Sequence, residues 1–129
     1  MKKSMVLLFI LSFFVFQSYA QKVEVLYFKA NLACCAARAC ANLEGQIKTV
    51  VERNFKNTEV VFKTIKIADA ENAELVKKYD AKSQTLIIVP LKKKKATYKD
   101  VSDLAKTLAR SSDEAAFEKD IVAAIKELL

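Results

Sequence analysis

From residue 22 onward the spacing of apolar positions changes several times, and each change marks an element. Val23 to Ala30 (VEVLYFKA) carries β-branched and aromatic residues without a clean polar alternation, the pattern of a buried strand. From about Ala37 the step becomes three and four. Cys40, Leu43, Ile47, Val50 and Val51 form the stripe of an amphipathic helix running to about Phe55, where Asn57 breaks it. Glu59 to Ile67 (EVVFKTIKI) predicts a second strand, alternating in its later half. Asp69 is placed to cap a short helix through Tyr79, with Ala70, Ala73, Leu75 and Val76 as its inward face.

Thr85 to Val89 (TLIIV) is an unbroken apolar run suited to the middle of a sheet, and Pro90 ends it or stands where no ladder bond is needed. Lys92 to Lys95 then read as a hairpin turn, with Ala96 to Tyr98 returning as a short fourth strand. Val101, Leu104, Ala105 and Leu108 mark a helix. Ser111 and Glu114 have the spacing of a capping box ahead of a last helix through Phe117, Ile121, Ala124 and Leu128. The order is β-α-β-α-β-β-α, the last helical part in two pieces. Strands separated by helices call for parallel pairing with helices on the sheet faces, so the expected fold is a single α/β domain around a central mixed sheet.

The first 20 residues do not belong to that pattern. Lys2 and Lys3 precede a short apolar run, Met5 to Phe16, and then Ser18-Tyr19-Ala20. A basic start, a short apolar stretch and small residues before a cut describe a secretory signal peptide. The run spans roughly 18 Å as a helix, short of the roughly 30 Å hydrocarbon core, so no stable membrane insertion is expected after cleavage. The expectation is residues 1–20 as signal peptide and 21–129 as the folded domain, exported by a bacterium to the periplasm or beyond. Losing Lys2 and Lys3 takes the net charge from +7 to +5. The lysine run is compact and not interleaved with aromatics, so it reads as a solvated turn protecting a sheet edge, and no nucleic-acid partner is expected.

Composition narrows the chemistry. The chain has no His, which removes Ser-His-Asp and Cys-His catalysis and His-ligated zinc. It has one Gly, Gly45, too few for a phosphate-cradling loop. Nothing in it would hold a flavin, and no cofactor is expected. Gly45 is expected to mark close approach of its helix to a strand, and Tyr27, Tyr79 and Tyr98 to be half-buried packing.

Three cysteines, Cys34, Cys35 and Cys40, all lie between the first strand and the body of the first helix. A helix start offers free N–H groups and partial positive charge, which favour thiolate over thiol. Cys40 is in register with Leu43 and Ile47 and should point inward, leaving Cys34 or Cys35 as the candidate exposed nucleophile. A helical path from Cys35 to Cys40 rises about 7.5 Å, beyond the roughly 7 Å limit between bridged Cα atoms. A bridge to Cys40 therefore needs residues 36–39 at least partly unwound, against the helix preference of Ala36, Ala37 and Ala39.

The stretch from Lys22 to about Val89 resembles a thioredoxin-like domain. It has a first strand ending in Tyr27-Phe28-Lys29-Ala30, cysteines at a helix start, and Ile67-Ala68-Asp69-Ala70-Glu71-Asn72-Ala73-Glu74-Leu75. Lys77 to Ser83 and the Thr85-Leu86 strand follow as in thioredoxins. With the C-terminal hairpin and helices, the chain is most similar to a group of small secreted bacterial thioredoxin-like proteins labelled as a nitrophenyl-compound nitroreductase subunit family. The resemblance implies a C-x-x-C site, for which this chain has Ala37-Arg38-Ala39-Cys40 in one register and Cys34 in the other. It also implies a cis-proline facing the cysteines, where this chain has Ser83-Gln84-Thr85.

Three readings follow. In the first, Cys34 or Cys35 attacks a protein disulfide and Cys40 resolves the mixed disulfide, with Arg38 adding positive charge. In the second, Cys34, Cys35 and Cys40 bind a soft ion such as copper(I) or arsenite. In the third, the cysteines are packing and the domain is a scaffold.

Overall fold

The computed structural model describes residues 22–31, 34–56, 59–91 and 97–129, and for residues 34–37 the backbone. Strand β1 (Val23–Lys29) runs down the middle of a four-stranded sheet of order β2-β1-β3-β4. Helix α1 (Cys34–Asn54) carries the chain back over one face, so β2 (Val60–Lys66) lies parallel to β1, with Val23 opposite Val60 and Lys29 opposite Lys66. A 3₁₀ turn (Ala70–Asn72) and α2 (Ala73–Lys78) cross the other face. Strand β3 (Leu86–Pro90) returns antiparallel to β1, Tyr27 facing Leu86, and the two-residue β4 (Lys99–Asp100) closes that edge. Helices α3 (Ser102–Ser111) and α4 (Glu114–Leu128) pack beside α1. A mixed sheet in this order, with one parallel crossover and a following antiparallel pair, is the topology of a thioredoxin-like domain.

Alternation along β1 divides the interior into two cores. Val23, Val25 and Tyr27 point toward α1, α3 and α4, meeting Leu43, Ile47, Val50, Ala105, Ile121 and Ile125. Leu26 and Phe28 point the other way, onto Ile65, Tyr79, Ala81 and Ile87 under α2. Each large side chain sealed in this way contributes roughly 1.5–3 kcal/mol of transfer free energy. Pro90 closes β3 opposite Val23, and the next donor, the Leu91 N–H, reaches the Lys22 carbonyl at 2.8 Å. The proline thus stands where it withholds nothing from the ladder.

Several expected details differ. Helix α1 begins at Cys34 rather than near Ala37, because Ala36, Ala37 and Ala39 extend the helix toward β1. Ala70 and Ala73 are exposed, and only Leu75 and Val76 turn onto the sheet. Asp69 precedes the 3₁₀ turn without a side-chain cap bond. Ser111 ends α3, and the N-cap of α4 is Asp113, whose carboxylate accepts from the Ala116 N–H at 3.0 Å. The fourth strand falls at Lys99–Asp100, so Thr97 and Tyr98 are outside it. The lysine turn and the signal peptide lie outside the described residues. Gly45 has no atom within 4 Å of the place a Cβ would occupy, so close approach is not its reason. No helix among the described residues is long and apolar enough to cross a membrane.

Candidate functional site

The C-terminal end of β1 and the first turns of α1 bring the chemistry together. Cys40 lies in the second turn of α1 on the side of Leu43 and Ile47, and is 3% exposed, as its register predicts. Opposite it stands the turn leading into β3. That turn is tied to β1 by two bonds, Phe28 N–H to the Thr85 carbonyl at 2.9 Å and Gln84 N–H to the Phe28 carbonyl at 3.1 Å. Thr85 tightens it through its hydroxyl, which accepts from the Lys82 N–H at 2.9 Å. Held in this way, Gln84 donates its side-chain amide to Cys40 Sγ at 3.8 Å, and the Ser83 hydroxyl lies 4.0 Å from the same sulfur. Gln84 adopts φ 66°, a left-handed conformation that costs a non-glycine residue free energy and is sustained by the bonds around it. The Ser83-Gln84 turn therefore faces Cys40, where the resemblance implies a proline. No cis peptide bond occurs among the described residues.

Under Cys40 lies a small polar layer. Glu44, one turn further along α1, accepts from the Thr64 hydroxyl at 2.7 Å and pairs with the Lys29 ammonium at 3.0 Å. Partial burial pushes the Glu44 carboxyl up, but hydrogen bonds from Thr64 and Lys29 and the charges of Lys29 and Lys48 outweigh it, so the group ionises below its ordinary range. Tyr27, expected to be half-buried, is completely enclosed, whereas Tyr98 is exposed. Burial pushes the Tyr27 phenol well above its usual pKa, and the neighbouring Cys40 and Glu44 push it further. No neighbour among the described residues meets hydrogen-bond geometry with its hydroxyl.

The sequence placed Cys40 correctly and missed the roles of Tyr27, Glu44 and Gln84. The signal for Tyr27 was its parity with Val23 and Val25, which sends its side chain toward α1. Cys34 and Cys35 occupy the first two positions of α1, at the helix end where N–H groups are free, and no acidic residue stands in that first turn to compete for them. The backbone from Cys34 to Cys40 is continuously helical. At that rise Cys40 is out of bridging distance from both, and a bridge requires the first turns of α1 to unwind. Cys40 is a free thiol, and no cluster of three metal-ligating residues occurs among the described residues. The side chains of Cys34 and Cys35, on which the soft-ion reading depends, lie outside them.

The four-stranded mixed sheet flanked by helices is the fold of a thioredoxin-like domain. No family model matches the chain, and no curated protein matches it. Among solved structures it is similar to one described as a malarial protein, with 23% identity over 84% of this chain and 99% of that one and a TM-score of 0.49. It is also similar to a thioredoxin from Thermus thermophilus, with 17% identity over 72% of this chain and 75% of that one and a TM-score of 0.41.

Proposed function

We propose that the protein is an exported bacterial thioredoxin-like domain that exchanges thiols and disulfides with other proteins through its cysteine cluster. The observation that carries this reading is Cys40, an inward thiol six residues along the helix that begins at Cys34, faced by the Ser83-Gln84 turn. In the reducing direction, a thiolate at Cys34 or Cys35 attacks one sulfur of a substrate disulfide. A mixed disulfide forms, the substrate bond breaks, and the departing thiolate takes a proton from water. Cys40, having lost its proton to solvent, then attacks the protein's own sulfur in the mixed disulfide. The second substrate thiol leaves, and two electrons have passed from the protein to the substrate.

The second step carries a structural condition. Cys40 reaches its partner only when residues 34–39 leave the helix, and helix ends open at far lower free energy than helix middles. Exchange is therefore gated by fraying of α1. The readout is turnover of an insulin-type disulfide substrate alongside amide exchange of residues 36–39. Wild-type protein turns the substrate over and loses protection at those amides on oxidation, whereas Cys40→Ser stalls at the mixed disulfide. Full turnover by Cys40→Ser contradicts the assignment.

A second reading, a non-catalytic scaffold with Cys40 as core packing, is favoured by the unbroken helix between the cysteines. It predicts that Cys40→Ala lowers stability and changes nothing else. Stoichiometric copper(I) or arsenite uptake, lost when any one cysteine becomes Ser, would instead support the soft-ion reading.

A further inference from the structure

Strand β2 is an open edge of the sheet, with β1 on one side of it and no strand among the described residues on the other. The ladder fixes which of its main-chain groups face outward. The Val23 N–H donates to the Glu59 carbonyl at 3.0 Å and the Ile67 N–H to the Lys29 carbonyl at 2.9 Å, so the odd-numbered residues turn to β1. Val60, Phe62, Thr64 and Lys66 turn theirs outward. The Lys66 carbonyl is taken up by the Asp69 N–H at 3.3 Å and the Asn72 side-chain amide at 3.0 Å. No hydrogen bond among the described residues reaches the main-chain groups of Val60, Phe62 or Thr64 from that side.

A straight edge with open donors and acceptors is a template for another strand. Common guards are missing from β2: its register with β1 runs unbroken from Val60 to Lys66, without a bulge, and it holds no proline. Lys63, exposed in mid-strand, is paired with Glu24 of β1 on the face away from α1. We propose that this edge pairs with β2 of a second copy, antiparallel about a two-fold axis through Phe62, which joins the two sheets into one. Open residues must oppose open residues, and this axis sets Val60 against Thr64 of the second copy, Phe62 against Phe62 and Thr64 against Val60, each pair exchanging both bonds. Val60 and Phe62 pack on the α1 side of the sheet, where an aromatic pair flanked by β-branched pairs stabilises cross-strand contact. On the other face Lys63 stands opposite Val61 and Ile65 opposite Glu59, so no like charges meet. An axis through Lys63 would set that lysine against itself, and one through Val61 would carry Thr64 past the start of the opposing strand. The proposal involves none of the cysteines and stands apart from the exchange reading.

The test is sedimentation equilibrium of the protein in reductant, from micromolar to millimolar concentration, with amide exchange read at both ends of the range. The average mass is expected to rise toward twice that of one chain. Exchange at Val60, Phe62 and Thr64 should slow several-fold as it does so, while Val61 and Lys63, already bonded to β1, do not change. Phe62→Pro removes an outward N–H and the ring without touching the β1 ladder, a change that an edge strand tolerates. It should stay a single chain throughout. A wild type that remains a single chain overturns the proposal, as does association that a folded Phe62→Pro protein retains or that leaves the three open amides unprotected. Should Phe62→Pro not fold, the exchange pattern of the wild type decides alone. Protection of the same amides that follows an added valine-threonine repeat peptide, and not the protein's own concentration, gives the edge to a foreign strand and overturns the second-copy assignment.

Discussion

At the scale of single residues, the site depends on polar groups placed where the surrounding packing is apolar. Glu44 is tolerated beneath α1 because Thr64 satisfies one carboxylate oxygen and Lys29 the other. Its folded-state pKa lies below the unfolded value. It therefore adds stability above the ordinary glutamate range, and that contribution is lost as pH falls through the folded value. Glu118, held down by Asn54 and Arg53, acts in the same sense from the surface between α1 and α4. We expect urea midpoints of the wild type to fall as pH drops below about 4.5, and Glu44→Gln to flatten part of that slope while the part owed to Glu118 remains. Identical slopes in the two proteins would show that Glu44 is not coupled to folding.

At the scale of elements, α1 covers one of the two cores and carries the cysteines, so the proposed exchange depends on how readily its first turns unwind. Gly45 is a weak point in it, a glycine in the helix body with open space at its Cβ position and its carbonyl accepting from the Thr49 hydroxyl. Gly45→Ala should therefore stabilise the domain by about 0.5–1 kcal/mol, as chemical denaturation would read it. A destabilised variant would mean that the helix surface there meets something beyond this chain. The same scarcity of glycine explains three left-handed positions, Asp80, Gln84 and Ser112, that are filled by residues with side chains. Periodicity revealed α1, β2, β3 and α4 because each buries a stripe or a face. It did not fix β4 or the cap of α4, where two ladder pairs and one Asp113 bond decide the outcome and leave almost no pattern.

At the scale of the whole molecule, chain order and hydrophobic alternation were enough to specify a mixed sheet flanked by helices, because the single helix crossover forces β1 and β2 parallel. The site was only half readable. The register of Cys40 with Leu43 and Ile47 predicted an inward thiol, but Tyr27, Glu44 and Gln84 come from three separate segments, and no spacing along the chain announces that they meet. The proposed exchange requires Cys40 to form a reversible bond with one of the two cysteines at the start of α1. Peptide mapping of the protein by mass spectrometry, with and without reductant, decides whether that bond forms. Thiol–disulfide exchange through the cluster predicts a Cys40 peptide linked to the Cys34-Cys35 peptide in the oxidised sample and released on reduction. Cys40 recovered as a free thiol in both samples would contradict it.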